Sequence, residues 1–242
     1  MSNLNTGFYK DLDTNFEQAL EMAEKEFSHK EILEMLKTGN IPEKQIAAMK
    51  LCGINSQDEA EILISNLTGC DGKIREAVAL KINQLLIKNH NYAKHFTQAE
   101  IFAEASIDIN ANICRLAIDS AKILSKDKQF LSIYLNRILV FINEAFEELD
   151  KFIYRDKKYV INKQLFKLYW SLEALKNYVK DIPTNKLLNI LDRTSREREY
   201  TIREKAAQIL MLIKPESENI KIRDRLLNDE NYYVRLAIKN YS

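Results

Sequence analysis

The three histidines, His29, His90 and His95, are the first candidates for acid–base or metal chemistry. His90 and His95 stand five residues apart around Asn91 and Tyr92, whereas a metal-binding helix places two ligands at i and i+4. No third ligand accompanies them, so they read as surface histidines and no metal site is expected. Cys52, Cys70 and Cys114 are odd in number and show no CxxC spacing, which argues against a disulfide framework or a zinc ribbon. The chain contains no G-x-S-x-G, no P-loop and no G-x-G-x-x-G, so enzymes built on these motifs are excluded. No catalytic residue and no cofactor is assigned.

Binding chemistry has more support. Arg193, Arg196 and Arg198 lie within the segment 192–200, and with Lys157, Lys158, Lys163 and Lys167 they outline a basic stripe suited to phosphate or to an acidic protein. Glu197 and Glu199 partly neutralise it. Aromatic residues crowd the middle of the chain: Phe130, Tyr134, Phe141, Phe146, Phe152, Tyr154, Tyr159, Phe166, Tyr169, Trp170 and Tyr178. Most keep helical spacing and read as core. Tyr169 and Trp170 are adjacent, so they point about 100° apart on a helix, and one of them is placed to reach a groove as a partner anchor. Tyr169, Trp170, Arg193, Arg196 and Arg198 are therefore the expected partner-binding residues.

The elements that position these residues are helices. Ser28-His-Lys-Glu31, Ser56-Gln-Asp-Glu59 and Thr97-Gln-Ala-Glu100 read as capping boxes, where a hydroxyl and a carboxylate satisfy the free N–H groups of a helix start. Gly39, Gly53 and Gly69 follow apolar-periodic stretches and read as helix ends. Pro42, Pro183 and Pro215 stand near expected helix starts. Only 5 glycines and 3 prolines leave little material for hairpins, and no segment alternates with period two. Loops are expected to be short except near 88–97 and 192–200. The charge totals +1 but is uneven, at −6 over residues 1–65 and +7 over 151–205. No secretory signal opens the chain, and the most apolar run, Phe130 to Ile142, is too short to span a bilayer. A cytoplasmic protein with reduced thiols and no membrane association is expected.

Recurrence at long range gives the fold class. Asp71-Gly-Lys-Ile-Arg-Glu-Ala-Val, Tyr200-Thr-Ile-Arg-Glu-Lys-Ala-Ala and Tyr233-Val-Arg-Leu-Ala-Ile share a β-branched residue, then Arg, then small or apolar residues. Asn110-Ala-Asn-Ile-Cys-Arg-Leu-Ala is a degenerate copy with Cys114 at the Arg position, and Tyr159-Val160 opens a weaker one. Positions 75, 114, 160, 203 and 235 are 39, 46, 43 and 32 residues apart, the spacing of a two-helix repeat with variable loops. These units resemble HEAT repeats, whose second helix opens with an acid, four other residues, Val or Ile, and Arg. Asp229 to Val234-Arg235 matches in full. Glu197 to Ile202-Arg203 has Glu for Asp, Asp108 to Ile113-Cys114 lacks the Arg, and Gly69 stands at the acidic position before Ile74-Arg75.

The resemblance implies an all-α solenoid of antiparallel helix pairs with a right-handed superhelix, filling 1–242 as one domain after a flexible segment 1–12. It also implies that the acidic and basic positions form a ladder between neighbouring repeats, so that Asp229, Arg235, Glu197 and Arg203 are structural. The expected function is a non-enzymatic scaffold or adaptor that binds a protein or peptide on a curved helical surface. The alternative is a nucleic-acid-binding protein similar to the HEAT-like alkylpurine DNA glycosylases.

Overall fold

The structure is a computed structural model that describes residues 17–151, 158–214 and 218–239. Every regular element among them is helical. The chain divides into two compact units, Met1–Tyr134 and Leu135–Ser242. The first contains α1 (17–24), α2 (His29–Thr38), α3 (Ile41–Lys50), α4 (Gln57–Ile64), α5 (Gly72–Lys88), a 3-10 segment His90–His95, α6 (Ala99–Ala105) and α7 (Ala111–Leu124). The division falls within α8 (Lys128–Asp150). The second unit continues with α9 (Lys158–Leu175), a 3-10 segment Lys176–Asp181, α10 (Thr184–Thr194), α11 (Tyr200–Leu210), α12 (Ile220–Leu227) and α13 (Tyr232–Lys239).

Helix starts follow local chemistry. Ser28 and Glu31 form the expected box at α2, and a second box that the sequence reading passed over, Asn40 with Glu43, opens α3 around Pro42. At α4 only half the box forms: Ser56 accepts from the Glu59 amide, while the Glu59 carboxylate takes the Asn55 amide and His29 Nε2 instead. The box expected at Thr97 does not form, because α6 begins one residue later, after Gln98, whose side chain accepts from the Thr97 amide. Of the three helix-end glycines only Gly69 has a left-handed φ, +73°. Gly39 is extended and is small for another reason: a Cβ there would sit 2.5 Å from the Met35 carbonyl oxygen and 2.8 Å from Glu43 Cβ.

Each unit is an all-α, solenoid-like stack. In the first, α5 packs between α3 and α7, while α2 lies against α3 and α4. In the second, α11 packs between α9 and α13, with α10 and α12 against it. Helix pairs bury one stripe each because the apolar positions recur at helical spacing, as in Ile74, Val78, Ile82, Leu85 and Leu86 of α5. An aromatic run closes the first unit: the fully buried Phe102 ring meets Phe96 edge-on at 6.4 Å and Phe130 at 5.7 Å, and Phe130 stacks on Tyr134. The Tyr134 hydroxyl is satisfied by Ser106 Oγ at 2.8 Å. The link 88–97 is largely the 3-10 segment, and the link after α10 is shorter than expected, residues 195–199. Pro215 and the segment 1–12 lie outside the described residues, as do Phe152, Tyr154 and Lys157.

Candidate partner-binding surface

The repeat arginines organise the surface, and each does two jobs. Arg203 Nη1 donates to the carbonyls of Glu197 and Arg198, both at 2.8 Å, closing the loop that precedes its own helix α11. Its Nε and Nη2 grip Asp229 of the next repeat at 2.7 and 3.0 Å. Arg75 repeats this arrangement, with Nη1 on the Cys70 carbonyl and the fork on Asp108 at 2.7 and 3.1 Å. The receiving aspartates are built alike. Asp108 accepts the Asn110 amide and Asn110 caps Asn112; Asp229 accepts the Asn231 amide and Asn231 caps Tyr233. Two rungs of one geometry, one in each unit, therefore join neighbouring helix pairs.

Three details differ from the sequence reading. Asp229 takes Arg203 of the preceding repeat rather than Arg235 of its own, and the pair is buried, with side chains 9% and 6% exposed. Cys114 does the loop-closing half of the missing arginine's work, since its thiol donates to the Asp108 carbonyl at 2.9 Å. Glu197, implied as a rung acid, offers the ladder its carbonyl rather than its carboxylate, and the preceding repeat carries Val160 at the arginine position.

Burial raises the Asp229 carboxyl, but Arg203 and the Asn231 amide outweigh it and hold the pKa below the ordinary 3.8. A depressed folded pKa contributes stability that is complete above 3.8 and is lost as pH falls through the folded value. The wild-type urea midpoint should therefore drop on acidification below pH 3.8 more steeply than that of Asp229→Asn, which has no carboxyl to titrate. Glu197 works in the other direction. Burial raises its pKa above 4.5, opposed by Arg193, so its protonated form favours the fold below 4.5 and that contribution is lost as pH rises through the raised value.

The five expected binding residues fall into two groups that contact different helices. Tyr169 and Trp170, on α9, meet edge-on at 5.5 Å, and Trp170 packs against Phe166 at 6.2 Å. Both are half-buried. The Lys205 ammonium of α11 lies 4.7 Å from the Tyr169 ring and pairs with the half-buried Glu173, so Tyr169 covers the buried lysine of an ion pair. Arg193 stacks on Phe146 at 4.0 Å and bonds the Phe146 carbonyl and Asp150, which ties α10 to the end of α8. Arg196 is exposed and pairs with Asp192, which also receives Arg225. Arg198 is exposed too. Arg196 and Arg198 line an open cleft of about 490 Å³ together with Arg225, Asp229 and Glu230.

Beside this cleft stands a feature the sequence reading did not single out. Tyr200 at the start of α11 and Tyr232 and Tyr233 at the start of α13 are 38%, 60% and 58% exposed. The Tyr200 and Tyr233 rings stack at 6.4 Å, and Tyr232 meets Tyr233 edge-on at 5.7 Å. The signal was available: position 200, three before the repeat arginine, corresponds to Gly72 and Ala111 in earlier copies, and large rings appear there only in the last two. Among the described residues, no cluster of three or more His, Cys, Asp or Glu could hold a metal ion, and no helix is long and apolar enough to cross a membrane.

Paired helices, a repeated rung and a surface at the helix starts define an all-α helical-repeat protein. The chain is similar in structure to an engineered protein, 14% identical, over 90% of this chain and 99% of that one, with a TM-score of 0.51. A second engineered protein, also 14% identical, covers 88% and 94% with a TM-score of 0.47, and a designed armadillo repeat protein, 9% identical, covers 88% and 98% with a TM-score of 0.48. No protein-family model and no curated protein sequence matches. The first of these likenesses bears on fold alone and agrees with the helical-repeat class.

Proposed function

We propose that this chain is a HEAT-type, non-enzymatic scaffold of the cytoplasm that holds a protein segment on the second unit, at the tyrosine ridge and the adjoining arginine cleft. The observation that carries the reading is the exposed stack of Tyr200, Tyr232 and Tyr233. Tyrosines presented on rigid helix starts lose little entropy on binding and are favoured interface anchors.

Charge separates a protein partner from a nucleic acid. The second unit holds 21 Lys and Arg against 16 Asp and Glu, a balance of +5 that would steer an acidic partner. At the cleft and ridge the charges cancel, Arg196, Arg198, Arg203, Arg225 and Arg235 being matched by Asp192, Glu197, Glu199, Asp229 and Glu230. A phosphate backbone needs a local excess of cations, whereas a protein surface matches mixed charge.

The test is retention of a native-lysate partner by the full chain and by two variants, Tyr200→Ser with Tyr233→Ser, and Arg196→Glu with Arg198→Glu. Loss in the tyrosine variant with unchanged melting is expected, with slower association in the arginine variant. A partner retained by both would move the site off this surface. Salt-sensitive binding of single-stranded DNA, abolished by the same changes, would favour the nucleic-acid alternative.

A further inference from the structure

The two filled rungs supply a template for a third. Arg235 closes its own loop as Arg75 and Arg203 do, with Nη1 on the carbonyls of Asp229 and Glu230. In Arg75 and Arg203 the remaining face of the guanidinium, Nε with Nη2, is spent on an aspartate. In Arg235 that face has no acceptor among the described residues, and the side chain is half-exposed where Arg203 is 9% exposed. The Nη1 bonds fix the plane of the guanidinium, so the open fork is held ready rather than searching. Tyr232 and Tyr233 stand exposed three and two residues before it.

We propose that the Arg235 fork binds the carboxylate of an aspartate from a protein partner, seated as Asp229 is seated on Arg203. The inference rests on the docking reading above and adds the chemistry of one contact. The partner presents an Asp in a tight turn, so that one carboxylate oxygen accepts the backbone amide two residues further on while both oxygens meet the fork, as in the two existing rungs. Two other arginines with the same geometry each take a carboxylate, and charge complementarity at the open one selects an acidic segment.

The experiment observes the arginine Nε–H resonances of the full chain by NMR. The probe is a blocked peptide copying the rung loop, Leu227-Asn-Asp-Glu-Asn231, compared with its counterpart carrying Asn in place of the Asp. The Arg235 resonance should shift and saturate with the Asp peptide, and the Asn peptide should bind about tenfold more weakly or worse, the difference expected for a bidentate charge-assisted pair. Arg235→Lys keeps the charge but loses the fork, and should bind the Asp peptide about tenfold more weakly, read at the Tyr233 ring resonances. Equal response to the two peptides, or an Arg235 resonance unmoved through the millimolar range, would overturn the proposal. Failure here is separable from failure of the docking reading. A lysate partner lost by the tyrosine variant but kept by Arg235→Lys would remove the fork and leave the ridge in place.

Discussion

Asp229→Ala should unfold at markedly lower urea concentration than the wild type, with the second unit losing about 3–5 kcal/mol. The magnitude follows from burial and from what is left behind. Asp229 and Arg203 are 6% and 9% exposed, and removing the carboxylate strands a guanidinium that is fixed by two carbonyl bonds and cannot swing out to water. Glu230, at 3.4 Å from Nη2, is 89% exposed and is a weak substitute. Replacing both partners with apolar residues, Arg203→Met with Asp229→Leu, should recover most of the loss, since a buried pair breaks roughly even against well-packed hydrophobic residues. A single-variant loss below about 1 kcal/mol would mean that the rung behaves as an ordinary surface pair.

Phe102→Ala should cost the first unit about 3–5 kcal/mol, and Phe102→Leu much less. The ring is fully buried between Phe96 and Phe130, which approach it edge-on from the residue that follows the 3-10 segment and from α8. Neither neighbour can fill the void alone, because Phe130 is held by its stack on Tyr134 and Tyr134 by its bond to Ser106. Thermal melts of the two variants measure the difference. Near-equal melting points would show that the aromatic run collapses around the gap.

The helices and the rungs were legible because both rest on local or periodic signals. Ser28 and Glu31 declare a helix start within four residues, and the repeat arginines recur at a spacing that only stacked pairs explain. The partner of each rung was harder to read. Arg203 has an acid six residues before it and another 26 residues after it, and only packing decides that the later one is taken. Thr97 failed as a cap for the opposite reason, since its local pattern suits a box but α6 starts a residue later to bury Ala99 and Phe102. Among the candidate binding residues, Arg193 and Tyr169 turned out to be committed to Phe146 and Lys205, contacts that reach across helices and leave no mark in nearby sequence. Tyr200, Tyr232 and Tyr233 went unread because tyrosines at helix starts look like core until exposure is known.

The thiol that stands in for an arginine gives the first unit a chemical clock. Cys114 is fully buried, burial raises its pKa strongly, and its proton is given to the Asp108 carbonyl, so an alkylating reagent meets neither a path nor a thiolate. Cys52 is exposed and is alkylated without any opening. The ratio of slow to fast modification in one sample then counts how often α7 leaves its place, and does so without any substitution in the sequence.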